Sequence, residues 1–223
     1  MADFLSLSFQ CYTIDFSQVN FGDTFPILQE GLLACKSLAE IKITNSDLGN
    51  EGALVIARVL LVNKRSVIRN LILHNATTDE NGKYKYIDKA NWIGLQAILT
   101  HFNGLSLSFQ CPSFSDSYAS LFSRFLVEKQ NKLTTLSLSH VSLDSAIETL
   151  FKGLLESPCT SSDAKLSLDL SYCSLGKSAG AILGELLKSN SHICSLTLSH
   201  NSLGDLGATG LADGLKVNKI ETK

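Results

Sequence analysis

Near its C-terminal end the chain alternates apolar and polar residues for one short stretch, then changes period. Leu196-Thr197-Leu198-Ser199 repeats every second residue, as a strand with one buried face does. Beyond Asn201, Leu203 and Gly204, the small and apolar residues Gly207, Ala208, Leu211 and Leu215 recur at three- and four-residue spacing, the inward stripe of a helix. A near copy lies one interval upstream, where Leu168, Leu170, Cys173, Leu175 and Gly176 lead into Gly180, Leu183, Leu187 and Asn190. One strand followed by one helix is the unit that this pattern predicts.

Carried backwards, the register gives seven strands whose first core residues are Leu7, Ile41, Leu71, Leu107, Leu136, Leu168 and Leu196. The intervals between them are unequal but stay within the range of a solenoid repeat. The second core positions are Phe9, Ile43, Leu73, Phe109, Leu138, Leu170 and Leu198. All fourteen are apolar. Chance gives roughly 10⁻⁵ for that at this composition, before the freedom to choose a register is counted. In the second repeat Gly52, Ala53, Ile56, Ala57 and Leu60 form the helical stripe. No single unit can bury its apolar face alone, and stacking neighbours turns seven such units into one continuous core.

The pattern L-x-L-x-x-(N/C)-x-L-G followed by a small-residue amphipathic helix resembles a leucine-rich repeat of the ribonuclease-inhibitor-like kind, over essentially all 223 residues. The resemblance implies an α/β solenoid and a single domain over 1–223. It would be a curved horseshoe of about seven β-α repeats, with parallel strands on the concave face and helices on the convex one. It also makes protein binding the default function, without naming a partner. The fifth residue after each strand start, which carries the ladder-forming Asn or Cys in such repeats, reads Tyr12, Ser46, Ala76, Pro112, Val141, Cys173 and Asn201. Only the last two match, so the ladder is expected to lapse in the N-terminal half. Asn50 and Asp205 stand where helix N-caps are expected. Gly207, Gly210 and Gly214 lower the propensity of the last helix, and close packing of that helix is the expected compensation.

Two candidate recognition surfaces follow. Residues that alternate with the core positions line the concave floor, and they are mostly Ser and Thr with few charges. On that floor the patch of His140, Asp169, Tyr172 and His200 holds its aromatic anchor, and interfaces draw most of their energy from anchors. The floor reads either as a binding face for a protruding partner element or as an idle solvated face. The second candidate is the insertion at 77–89 of repeat 3, where Asn81-Gly82 signals a turn and Tyr84 and Tyr86 share one side of an alternating stretch. It reads as a projecting loop or hairpin, or as a loop folded back over its own repeats. Trp92, spaced with Leu95, Ile98 and Leu99, reads as helix core.

Chemistry is sparse. His74, His140 and His200 fall on alternate repeats, so neighbours in that set lie about 10 Å apart, too far for a shared tetrahedral zinc. Cys111 and His140 share a depth on adjacent strands, with no orienting carboxylate or oxyanion hole apparent. No glycine-rich phosphate loop is present. The chain is therefore read as non-enzymatic, with no metal and no cofactor. With 19 Lys and Arg against 21 Asp and Glu and no basic block, nucleic acid is not an expected partner. No apolar run is long enough to span a membrane, and the N-terminus lacks a signal peptide's regions. The six scattered cysteines read as free thiols of a reducing compartment, with Cys173 buried, which implies a cytoplasmic location; a monomer is expected.

The irregular repeat lengths also resemble leucine-rich-repeat effectors that bacteria deliver into host cells, for which the absent signal peptide is no obstacle. Three functions stay open on the resemblance. The first is a scaffold for a protein partner, and the second a targeting domain for a larger enzyme such as a ubiquitin ligase. The third is a GTPase activator, for which none of Arg58, Arg65, Arg69 and Arg124 falls in a strand-to-helix loop, leaving Asn45 or Asn50. By the spacing of the last two strands, an eighth would begin just past Lys223, so the chain reads either as part of a longer protein or as a natural end with a frayed tail.

Overall fold

A computed structural model describes residues 11–19, 21–46, 49–62, 68–74, 77–78, 84–85, 89–111, 114–129, 132–143, 145–156, 165–190 and 192–218. Seven parallel strands form one sheet in the order of the chain, alternating with helices. They are β1 (Thr13–Asp15), β2 (Glu40–Thr44), β3 (Asn70–His74), β6 (Ser106–Gln110), β7 (Thr135–Ser137), β8 (Leu166–Asp169) and β9 (Ile193–Thr197). Two further short strands, β4 (Thr77–Thr78) and β5 (Tyr84–Lys85), pair antiparallel within the repeat-3 insertion. The helices are α1 (Gln29–Ala34, entered through a 3₁₀ turn at Gly22–Leu28), α2 (Gly49–Val62), α3 (Lys89–His101), α4 (Asp116–Lys129), α5 (Ile147–Glu156), α6 (Lys177–Ser189) and α7 (Gly204–Val217). The chain divides into two compact units, Met1–Phe109 and Gln110–Lys223.

In the first unit, β2 and β3 alternate half-exposed and buried residues along their whole length, with Ile41, Ile43, Leu71 and Leu73 inward. Leu7 and Phe9 lie outside the described residues. The strand that pairs with β2 is Thr13–Asp15, which sets Ile14 opposite Ile41 and makes the first interval shorter than the register from Leu7 implies. Phe16 takes the second core position and packs edge-on against Phe21 and Phe25, at ring-centroid distances of 5.3 and 5.5 Å. Ile14-Asp15-Phe16 satisfies the same apolar alternation as Leu7-Ser8-Phe9, so periodicity alone could not choose between them.

The backbone supplies the feature that does choose. Four positions after the first core residue the chain enters the left-handed region, at Gln18 (φ 59°), Asn45 (52°), His140 (59°), Tyr172 (57°) and His200 (59°). Gln18 stands at that same offset from Ile14, in step with the others. The next residue then turns inward and ties neighbouring coils together. Asn201 Oδ1 accepts from the amides of Cys173 and Leu175 (both 3.0 Å), while its Nδ2 donates to the carbonyls of Leu170 (2.8 Å) and Leu198 (3.0 Å). Cys173 Sγ donates to the carbonyl of Leu138 (3.1 Å). Ser46 plays the same part in the N-terminal half, accepting from the Val19 amide (3.0 Å) and donating to the Phe16 carbonyl. At Ser46 a rung therefore persists although the Asn/Cys rule lapses, because a serine hydroxyl has both a donor and an acceptor.

The second unit is the more regular. Leu136, Leu138, Leu168, Leu170, Cys173 and Leu175 are fully buried. α6 and α7 approach backbone to backbone. A Cβ on Gly210 would sit 2.8 Å from the Ala181 Cα, and one on Gly214 would sit 2.6 Å from the Gly184 Cα. The glycines that weaken α7 as a helix are thus what lets it close on α6. Asp205 is not the N-cap, since Leu203 occupies that position without a side-chain bond. Asp205 instead lies in the first turn, where its charge favours the helix dipole. α7 exposes Leu215 (62%), whereas its counterpart Leu187 on α6 is buried (6%).

Candidate functional site

The residue at the left-handed position points its side chain out of the solvent-facing side of the sheet, and in three successive coils of the second unit that residue is a ring. His140, Tyr172 and His200 stack face to face. The His140 and Tyr172 centroids are 4.4 Å apart at 9°, and those of Tyr172 and His200 are 4.0 Å apart at 10°. All three are exposed. The spacing follows from the sheet, whose strands lie about 4.8 Å apart. The backbone keeps them in step: the His140 amide donates to the Ser171 carbonyl and the Tyr172 amide to the Ser199 carbonyl, each at 3.0 Å. A left-handed conformation is tolerated by His but is unusual for a bulky residue such as Tyr. The stack and the interstrand bonds hold Tyr172 there.

Asp169 stands on β8 beside this ladder, with Ser137 opposite on β7 and Thr197 on β9. One carboxylate oxygen accepts from the Ser171 amide (3.0 Å) and hydroxyl (2.6 Å), and the other from the Ser137 hydroxyl (3.1 Å). Partial burial pushes the Asp169 pKa up, but these bonds, with His140 nearby, outweigh it and hold the carboxyl below its usual range. Asp169 is therefore a fixed negative charge among hydroxyls. Beneath it, burial raises Cys173 to about 11, against the opposing Val141 backbone bond and with help from the Asp169 charge. That sulfur stays a thiol at neutral pH.

Of the residues singled out by sequence, His140, Asp169, Tyr172 and His200 come together. Tyr84 lies on β5, whose backbone pairs with β4, and Tyr86 is outside the described residues. The side chain of Trp92 is also outside them, while Leu95, Ile98 and Leu99 are buried. His74 belongs to the first unit and bonds through Nε2 to Ser108 Oγ at 2.7 Å. Cys111 is buried. Arg58 reaches Gln29 from α2, Arg124 pairs with Glu128 on α4 at 3.8 Å, and Arg65 is outside the described residues. Ser137 and Ser171 were visible in sequence only as members of a hydroxyl-rich floor. Their role in orienting Asp169 has no motif of its own. The stack did have a signal: aromatic residues at the fourth position of three consecutive repeats.

Parallel strand, left-handed turn, inward rung and helix, repeated in this order, define a leucine-rich-repeat-like α/β scaffold. No family model matches the chain. It is similar, at 25% identity over 191 residues or 85% of its length, to NACHT, LRR and PYD domains-containing protein 5 of Mus musculus. The chain spans 13% of the length of that relative. Among the described residues no group of three or more His, Cys, Asp or Glu side chains is placed to hold a metal, and no helix is long and apolar enough to cross a membrane.

Proposed function

We propose that this chain is a non-enzymatic protein-interaction scaffold whose recognition surface is the ladder of His140, Tyr172 and His200 with Asp169 at its side. One observation carries the reading: three exposed rings, already stacked, stand on a floor of short hydroxyls. Freezing a side chain on binding costs about 0.5–1.5 kcal/mol, and rings locked against each other have already met most of that cost. Tyrosine is also among the residues that anchor interfaces. Strained backbone held by its surroundings clusters at working sites, and Tyr172 is such a residue. The similarity to a protein with LRR in its name is in keeping with a binding role. The partner is a protein element that protrudes onto the sheet, carrying apolar or planar groups for the ring edges and a positive or hydrogen-bonding group for Asp169.

The test is affinity capture from eukaryotic lysate with crosslinking, using the chain and a variant carrying Tyr172→Ala and His200→Glu as baits. Circular dichroism would establish that both are folded. The expected result is a partner captured by the first and lost by the second. A partner retained by the variant, crosslinked at Lys83 or Lys85, would move recognition to the 77–89 insertion and overturn this assignment.

A further inference from the structure

At the N-terminal coil two cysteines far apart in sequence are held side by side. Cys11 immediately precedes the coil that begins at β1, and Cys35 caps the C-terminal end of α1. Cys35 Sγ lies 3.6 Å from the carbonyl oxygen of Cys11, and the Ser37 hydroxyl donates to that same oxygen at 3.1 Å. One residue on, the Tyr12 carbonyl accepts from the amides of both Ala39 (2.8 Å) and Glu40 (2.9 Å). The segments carrying the two thiols are thus bound to each other by backbone as well as side chain. Cys35 is buried and Cys11 partly exposed. Burial first, and the neighbouring Cys35 second, hold the Cys11 thiol above its ordinary range. Cys173 and Cys194 make the same kind of bond to the preceding coil, at the carbonyls of Leu138 and Leu166, but only for Cys35 is the accepting residue itself a cysteine.

We propose that Cys11 and Cys35 are a redox pair that closes to an intrachain disulfide when the chain meets a disulfide oxidant of the glutathione class, stapling the N-terminal coil. The steps balance. The Cys11 thiolate, being the accessible one, attacks one sulfur of oxidised glutathione and releases one glutathione thiolate. Cys35 loses its proton to solvent and attacks the Cys11 sulfur of the mixed disulfide, releasing the second glutathione. Two protein thiols give up two protons and two electrons, and one oxidised glutathione becomes two reduced ones. Because the Cys11 thiol is raised, the first attack is slow at neutral pH and accelerates as the solution becomes alkaline. The bond would constrain a loop that contains β1, the Phe16, Phe21 and Phe25 cluster and α1, so the coil is fixed under oxidising conditions and freer under reducing ones.

The sequence provides a direct readout. Lys36 is the first Lys or Arg in the chain, so trypsin releases residues 1–36 as one peptide whose only cysteines are Cys11 and Cys35. The folded chain is incubated with oxidised glutathione at mildly alkaline pH, quenched with an alkylating agent, digested without reductant and weighed. The expected result is a 1–36 peptide lighter by two hydrogens that carries neither alkyl group nor glutathione. It should form faster in the folded chain than in the urea-unfolded one, and dithiothreitol should reverse it. Cys11→Ser and Cys35→Ser should each abolish the two-hydrogen loss. Glutathione adducts without ring closure, or closure no faster in the folded chain than in urea, would overturn the pairing.

Discussion

Tyr172 occupies a backbone region that disfavours bulky side chains and is compensated by two ring partners. Stacked aromatic pairs are worth about 0.5–1.5 kcal/mol each, and a single left-handed residue costs about 1–2 kcal/mol. Tyr172→Ala keeps most of the backbone cost and loses both contacts, so it should destabilise the chain by about 1–2 kcal/mol in urea denaturation. The sharper readout is by NMR: the ring protons of His140 and His200 should move downfield once the Tyr172 ring current is gone, and unchanged shifts would mean that the stack does not exist in solution. Asn201 bonds to four backbone groups at 2.8–3.0 Å and to a fifth, the Ser199 carbonyl, at 3.4 Å. Each buried group left unpaired costs about 1–3 kcal/mol, so Asn201→Leu should cost at least about 3 kcal/mol, far more than a surface substitution. Asp169 gives the pH dependence. Its folded pKa lies below the unfolded value of about 3.9, so it stabilises the fold above that pH. The contribution is lost as pH falls through the lower, folded value. Ser171→Ala removes one hydroxyl bond, so carbon-detected titration should show the Asp169 carboxyl rising towards its ordinary range, with acid unfolding beginning at a higher pH.

At the scale of elements, the strand-turn-helix order was legible because two periodicities follow each other most clearly in the second, sixth and seventh repeats. Leu136, Leu168 and their alternating partners are buried as that pattern requires, while Leu196 and Leu198 are only half-buried. The close approach of α6 and α7 was also legible, from glycines too frequent for an isolated helix. Gly184→Ala should therefore already destabilise the second unit by more than the ~1–3 kcal/mol typical of overpacking, because its Cβ would collide with the Gly210 carbonyl, and Gly184→Leu by more still; thermal melting of the two variants checks this. Two features resisted sequence reading for physical reasons. Two apolar alternations follow each other closely at the N-terminus, and Leu7 lies outside the described residues. It is the paired backbone of Ile14 with Ile41 and the turn at Gln18 that place the strand beside β2 at Thr13–Asp15. The Ser46 rung was missed because a serine has the hydrogen-bonding capacity of the expected residue without its name. At the candidate site, the rings could be read from the repeat, but not the serine bonds that orient Asp169.

For the molecule as a whole, coils that bury one another make the same residue type unequal at equivalent positions. Leu187 is covered by α7, while Leu215, its equivalent one repeat on, is mostly exposed. Leu187→Lys should unfold the chain, because an unpaired buried charge costs several kcal/mol. Leu215→Lys should stay within about 0.5 kcal/mol of the parent. Leu170→Asp tests the register itself, and unchanged thermal stability in that variant would mean that Leu170 does not face the core. Leu215→Lys also serves as a folded control away from the ring ladder in any binding assay. Amide hydrogen exchange of the chain alone and saturated with a captured partner tests the recognition surface most directly. Protection on binding should centre on residues 135–140, 166–173 and 195–201, the strands and turns that carry His140, Asp169, Tyr172 and His200. Protection confined to the helices, or to the 77–89 insertion, with exchange unchanged around Tyr172 would contradict it.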